Sequence, residues 1–117
     1  MSEAKQRLGE LGEQLSADFL TKMGYTVLNR RFRVKGGEID IVALDGETLV
    51  FIEVKARKSA SYAQPREAVN FKKRAALTRA AEEYLLRTGC ERACRFDVIE
   101  IVMDERRITH IQHAFGG

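Results

Sequence analysis

Residues 37–57 read GEIDIVALDGETLVFIEVKAR, a stretch that predicts two β-strands joined by a tight turn. Most positions of the segments 38–44 and 49–55 are apolar, and many of these residues are β-branched. Asp45-Gly46 between the segments is a strong hairpin signal. The preceding residues 25–34 predict another strand, which Lys35-Gly36-Gly37 would connect to the hairpin. The sequence therefore predicts an antiparallel meander of three strands.

The polar residues of the hairpin are expected on one face, because side chains alternate between the two faces of a strand. Asp40 and Val42 share one face of the first strand, and Ile39 and Ile41 are expected on the other. A two-residue turn would place Asp40 diagonal to Glu53, and a four-residue turn would place it directly opposite. A three-residue turn would mix the apolar faces of the two strands, so we reject it.

Two carboxylates this close together form a candidate metal site. Opposite positions in a hairpin hold Cβ atoms about 5 Å apart, and diagonal ones about 7–8 Å. A hard divalent cation relieves the repulsion between Asp40 and Glu53, and Mg²⁺ takes one or two carboxylates with several waters. Lys55, on the face of Glu53, can position water or balance charge on a phosphate. These residues are the minimum for metal-assisted phosphodiester hydrolysis, and the alternative is an ordinary solvent-facing charged surface.

Charge is segregated along the chain. The 117 residues contain 20 Lys plus Arg and 17 Asp plus Glu, a net charge of +3. Residues 25–37 hold four bases and no acid, residues 38–53 five acids and no base, and residues 54–79 eight bases and one acid. Basic surface attracts nucleic acid, but acids in its middle repel phosphate unless a divalent cation bridges the two.

Apolar periodicity predicts two helices beside the meander, over residues 4–23 and from an N-cap at Asn70 to about residue 88. Residues 96–102 form a near-continuous apolar run, which favours a buried strand paired in parallel, and a last short strand is expected over residues 107–113. We expect one α/β domain over residues 1–117, a mixed sheet flanked by two helices. The apolar stripe of the first helix is Ala4, Leu8, Leu11, Leu15 and Phe19, with Gly9, Gly12 and Ser16 on its flank.

Two motifs stand in the hairpin, GEID at 37–40 and FIEVKAR at 51–57, and together they resemble the YraN family of small bacterial proteins. That family looks like a branch of the PD-(D/E)xK nuclease-like superfamily, related in fold to archaeal Holliday-junction resolvases. Other segments match in the family's order, so the resemblance covers most of the chain. These segments are Gly12-Glu13, Gly24-Tyr25, Ala68-Val69, Lys73 and Arg95-Phe96-Asp97-Val98.

The resemblance implies a restriction-endonuclease-like core and metal-dependent cleavage of DNA. Two positions depart from the pattern: Ile39 stands where the superfamily has proline, and Ala63 stands where the family has glycine. The second departure bears on substrate access. The roles implied are metal ligands of Mg²⁺ or Mn²⁺ for Asp40 and Glu53, the catalytic lysine for Lys55, and an accessory acid for Glu13.

Basic residues cluster where the second helix is expected to begin. Lys72 and Lys73 lie in its first turn, where the helix dipole disfavours cations, and nucleic-acid phosphate would offset that cost. We therefore expect both to bind nucleic acid, together with Arg31 and Arg57, although Arg57 could instead pair with an acid. A solubilising basic surface is the alternative. Asp97 lies inside an apolar strand and is expected to pair with an arginine.

These features favour a Mg²⁺-dependent endonuclease acting on DNA, including branched or other non-duplex structures. A nucleic-acid-binding module without turnover and a protein-interaction domain are the alternatives. No apolar run approaches the roughly 18 residues that a membrane helix needs, so we expect a cytoplasmic protein without membrane contact. Exposed edge strands would allow a homodimer.

Overall fold

The structure, a computed structural model, describes residues 3–59 and 71–115. Two predictions, for Asn70 and Ala63, lie outside the described residues, as does the Ala68-Val69 motif. The described elements, in chain order, are α1 (Glu3–Lys22), β1 (Thr26–Val34), β2 (Gly37–Asp45), β3 (Thr48–Arg57), α2 (Phe71–Thr88), β4 (Cys94–Val102) and β5 (Arg107–Ile111).

The five strands form one sheet in the order β1-β2-β3-β4-β5. β1, β2 and β3 pair antiparallel, which confirms the predicted meander. β4 then pairs with β3 in parallel, as its continuous apolar run predicts, and β5 pairs antiparallel with β4. Neither helix among the described residues is long and apolar enough to cross a membrane.

The core consists of two apolar layers, one on each face of the sheet. On one face, Leu77 and Ala80 of α2 pack against Phe51 and Val42 of the hairpin. On the other face, Leu20 of α1 packs in a second cluster with residues of β2, β3 and β4. The mixed sheet covered by a helix on each face confirms the predicted α/β architecture.

The β2–β3 turn fixes the register of the candidate site. Leu44 pairs with Leu49 and Asp45 with Thr48, so the turn residues are Gly46 and Glu47, one position later than the predicted Asp45-Gly46. Gly46 has a positive φ of 61°, a conformation that glycine adopts without steric cost. This is the register of the four-residue alternative, in which Asp40 lies directly opposite Glu53.

Strand alternation fails at Ile39, and the prediction for that residue was wrong. Ile39 packs with Val42 on the α2 face, whereas Ile41 packs on the α1 face. The β1–β2 register places Asp40 opposite Arg31, which has a positive φ of 53°, so the strand geometry is irregular here. The Asp40 carboxylate accepts a hydrogen bond from the Val54 N–H of β3 (2.7 Å).

The buried face of α1 also differs from the predicted apolar stripe. Leu11, a member of that stripe, is 45% exposed. Small residues of the helix face the sheet instead. Gly12 shows how close the approach is, since a Cβ added there would lie 2.6 Å from the Cβ of Ala56 in β3. The buried residues of α1 are Gly12, Glu13, Ser16, Ala17 and Leu20.

Candidate active site

The site is built around the carboxyl groups of Asp40 and Glu53, which β2 and β3 place side by side. Asp40 is half-buried, Glu53 is only 7% exposed, and the two side chains are close enough for the charge of one to act on the other. Burial, together with the neighbouring Glu53, raises the pKa of Asp40 to about 8. Asp40 therefore carries a proton at neutral pH when no cation is bound. The two sequence-predicted metal ligands are together in the structure.

Two ammonium groups lie beside this acidic pair. Lys73 of α2 makes an ion pair with Glu53, with 3.4 Å between Nζ and Oε2. Lys55 is half-buried, and burial lowers its pKa, with the charge of Lys73 lowering it further. The structure thus brings together Asp40, Glu53, Lys55 and Lys73.

These residues line a cavity of about 650 Å³ between the beginnings of the two helices. Lys5 and Gly9 of α1 lie on one side, and Lys72 and Lys73 of α2 lie on the other. Acidic residues from the sheet, including Glu38, lie between these walls. The cavity therefore combines an acidic centre with a basic rim, which suits a phosphate backbone held over a cation.

Glu13, the expected accessory acid, lies in a different environment. Its carboxylate is 5% exposed and accepts hydrogen bonds from Nε of Arg30 (3.3 Å) and Nε of Arg31 (3.1 Å). With both arginines it lines a separate depression of about 700 Å³, whose walls do not include Asp40 or Glu53. The structure therefore assigns Glu13 to an ion-pair cluster between α1 and β1, and Arg31 with it.

Arg57 does not line the cavity, and of the two partners that the sequence left open, an acid or phosphate, the structure shows the acid. Its side chain is buried, and its guanidinium group makes an ion pair with Glu100 (3.1 Å). A buried charge is stable only when paired, so β4 supplies the partner that the sequence left open. Lys72 and Lys73 are thus the predicted nucleic-acid-binding residues that line the cavity.

The acidic pair fits a hard divalent cation. Within residues 3–59 and 71–115, no group of three or more His, Cys, Asp or Glu side chains could hold a metal ion. Mg²⁺ and Mn²⁺ accept oxygen ligands, and Mg²⁺ usually keeps several waters while taking one or two carboxylates. Asp40 and Glu53 provide that number, and a bound cation would replace the proton that lets the two carboxyl groups lie together.

Sequence reasoning missed a second polar cluster at the hairpin end of the sheet. Arg95 donates hydrogen bonds to Asp97 (2.9 Å), to Asp45 (3.0 Å) and to the hydroxyl of Tyr25 (2.8 Å). The Asp97 carboxylate also contacts Nε2 of His110 (2.8 Å). The predicted pairing of Asp97 with an arginine is confirmed. The other partners, Tyr25, Asp45 and His110, come from three separate parts of the chain, and no spacing in the sequence indicates them.

The fold and the site define the class: an α/β protein with a restriction-endonuclease-like core and an acidic pair on adjacent strands. The chain belongs to the uncharacterised protein family UPF0102, which matches residues 12–101. This is the YraN family, so the resemblance based on sequence motifs is confirmed.

Relatives match over nearly their full lengths. The chain is 50% identical over 114 residues to a UPF0102 protein of Symbiobacterium thermophilum, covering 94% of this chain and 97% of the relative. It is 42% identical over 115 residues to one of Alkaliphilus oremlandii, covering 94% and 98%. It is 46% identical over 112 residues to one of Geobacter sulfurreducens, covering 92% and 88%. The names of these relatives state no activity or ligand.

Proposed function

We propose that this protein is a divalent-metal-dependent nuclease that hydrolyses phosphodiester bonds in DNA, with branched and other non-duplex structures among its substrates. The observation that carries the proposal is the close approach of the half-buried Asp40 and the buried Glu53 in a cavity that also contains Lys55. The hydrogen bond from the Val54 N–H accounts for the position of Asp40, but it does not require a second acid and an ammonium group at the same cavity wall. Such arrangements are typical of functional sites.

The residues of the site have different roles in this proposal. Asp40 and Glu53 would hold Mg²⁺ or Mn²⁺, which when bound polarises a phosphoryl oxygen and stabilises developing negative charge. Lys55 presents an ammonium group at the same cavity, where it can position water or stabilise charge on the phosphate. Lys72 and Lys73 provide positive charge at the rim, and we assign them the binding of backbone phosphates.

Cleavage assays with a panel of DNA substrates test this function. Linear duplex, single-stranded, flapped and four-way DNA are incubated with Mg²⁺ or Mn²⁺ and with EDTA. We expect metal-dependent cleavage by the wild type and loss of cleavage in Glu53→Gln and Asp40→Asn. Glu47→Gln is the matched control, because Glu47 lies on the same hairpin with a side chain 96% exposed and is expected to retain activity. Equal cleavage by the wild type and both site variants would contradict the proposal.

A nucleic-acid-binding protein without turnover is the second candidate. One contact favours it: Lys73 already neutralises Glu53 without a cation. This candidate predicts salt-sensitive DNA binding in EDTA and no cleavage under any metal condition. If DNA binding is absent even at low salt, the charged hairpin is better explained as a protein-interaction surface.

We place the protein in the cytoplasm and propose a homodimer. Both cysteines, Cys90 and Cys94, are free thiols, which suits a reducing compartment. β1 and β5 are the edges of the sheet, and an unpaired edge can accept a strand from a second copy. Light scattering of the purified protein after size exclusion measures the oligomeric state directly.

A further inference from the structure

We infer that Lys73 acts as an internal placeholder for the cation: it neutralises Glu53 while the site is empty, and nucleic-acid phosphate draws it away, so that cation binding and substrate binding become coupled. This inference rests on the proposed ion site at Asp40 and Glu53. It adds a positioning residue and a means of regulation that the proposed function alone does not contain.

The contact between Lys73 and Glu53 is the first observation behind this inference. The Lys73 ammonium lies 3.4 Å from Oε2 of Glu53, at a distance where it competes with any cation for that oxygen. The Glu53 side chain is 9% exposed, so water screens this ion pair poorly. A cation that binds both carboxylates must therefore displace the ammonium group or share the oxygen with it.

The position of Lys73 in the helix is the second observation. Lys73 lies in the first turn of α2, where the helix dipole disfavours a positive charge and favours an anion. Its side chain is 45% exposed, so the flexible stem can swing from Glu53 to the cavity rim. Phosphate at that rim offers Lys73 a second partner at the end of the helix that attracts anions.

Coupling follows from this competition. When phosphate takes Lys73, Glu53 is released to bind the cation, and when the cation takes Glu53, Lys73 is released to bind phosphate. By thermodynamic linkage each ligand raises the affinity for the other by the same factor. A free protein would then hold the cation weakly, and a complex with nucleic acid would hold it tightly.

Titration calorimetry with Mn²⁺ alone tests the first half of the inference. We expect Lys73→Met to bind Mn²⁺ about fivefold or more tightly than the wild type in the absence of DNA, because the competing charge is gone. Lys72→Met is the matched control: Lys72 is the neighbouring lysine of the same cavity rim, and its removal should change the affinity by less than about twofold. Lys73→Gln is a second variant, and thermal melts check that each variant folds.

A double-mutant cycle on DNA binding in EDTA tests the second half. Glu53→Gln should raise DNA affinity in the wild-type background, partly because it releases Lys73. In the Lys73→Met background the same change should raise affinity by a smaller factor, whereas in the Lys72→Met background the full factor should remain. Equal factors in all three backgrounds would overturn the inference.

The outcomes separate this inference from the proposed function. If the wild type binds Mn²⁺ and cleaves DNA but Lys73→Met binds Mn²⁺ no more tightly, the inference fails and the nuclease stands. If Lys73→Met binds Mn²⁺ more tightly but no variant cleaves DNA, the coupling stands and the nuclease fails. If no variant binds Mn²⁺, both fail.

Discussion

At the scale of single residues, a substitution at Lys55 distinguishes a role in catalysis from a role in ion binding. We expect Lys55→Ala to lower cleavage by about 100-fold or more, the usual cost of removing one group that stabilises a transition state. Mn²⁺ affinity should not fall, because the change removes a positive charge beside Asp40 and Glu53. Single-turnover cleavage and Mn²⁺ titration measure the two quantities. If Lys55→Ala loses both cleavage and Mn²⁺ affinity, Lys55 maintains the structure of the site and does not act directly in cleavage.

Asp40 gives a pH dependence to the stability of the cation-free protein. Its folded pKa of about 8 lies above the ordinary value of 3.8, so the native state binds the extra proton between these values. The stabilising contribution of the Asp40 proton is therefore fully present below the ordinary pKa, and it is lost progressively as pH rises to about 8. In EDTA, Asp40→Asn should melt close to the wild type at about pH 4 and at a higher temperature than the wild type at pH 9. Parallel melting curves for the two proteins at both pH values would contradict this assignment.

The site residues differ in how far the sequence predicts them. Asp40, Glu53 and Lys55 follow from strand alternation and a short turn, both of which are local properties. Glu13 and Arg57 do not, because each has several possible oppositely charged partners and only the packing selects one. The arginines of β1 reach Glu13, and Glu100 of β4 reaches Arg57. Charge alone therefore indicates that a residue needs a partner without identifying it.

At the scale of secondary-structure elements, the packing of α1 depends on Gly12. Its missing Cβ admits Ala56 of β3, and Gly12→Ala would bring two Cβ atoms to 2.6 Å. We expect this substitution to destabilise the fold by about 1–3 kcal/mol, the usual cost of overpacking. Gly9→Ala is the control from the same helix, since nothing lies within 4 Å of its added Cβ. It should stabilise by up to about 1 kcal/mol through helix propensity. Denaturant titration measures both, and equal effects would contradict the close approach.

The elements show why hydrophobic periodicity predicts strands better than helix orientation here. The hairpin has one consistent pairing that keeps its apolar faces apart, and the structure adopts that register at Leu44 and Leu49. In α1 the buried face is offset from the predicted apolar stripe, since Leu11 is exposed and Gly12 is buried, although Leu15 and Phe19 of that stripe pack against the core. Close contact between backbones favours small residues. A prediction based on the spacing of large apolar residues does not detect that preference.

At the scale of the whole molecule, Asp97 joins distant parts of the chain. It is fully buried, accepts hydrogen bonds from Arg95 of the same strand, and contacts His110 of β5. Arg95 extends the network to Tyr25 before β1 and to Asp45 at the end of β2. Asp45 lies five residues from Asp40 along β2, about 17 Å at the usual strand rise. Asp97 itself pairs with Ile52, next to Glu53, so the network stabilises the α1 face of the sheet, opposite the face that carries Glu53.

Removing the charge of Asp97 should lower stability without changing the site. Burial would raise the pKa of Asp97, but hydrogen bonds from His110, Arg95 and the His113 N–H together hold it below its usual value. We expect Asp97→Asn to lower the free energy of unfolding by about 3 kcal/mol at pH 7, because it leaves the Arg95 charge buried and poorly paired. The contribution of a depressed carboxyl pKa is lost as pH falls, so the difference from wild type should narrow below about pH 4.

Asp104→Asn provides the control for that substitution, since Asp104 is an exposed acid just after β4 and its charge should matter little. Below the melting temperature, Asp97→Asn should bind Mn²⁺ with the affinity of the wild type, because Asp97, although it pairs with Ile52 beside Glu53, points to the α1 face of the sheet and Glu53 points to the α2 face. Denaturant unfolding measured beside Mn²⁺ titration compares the effects of the substitution on the two faces of the sheet in one protein. If Asp97→Asn weakens Mn²⁺ binding while the protein remains folded, the network and the acidic pair are energetically connected through the sheet and do not act as separate units.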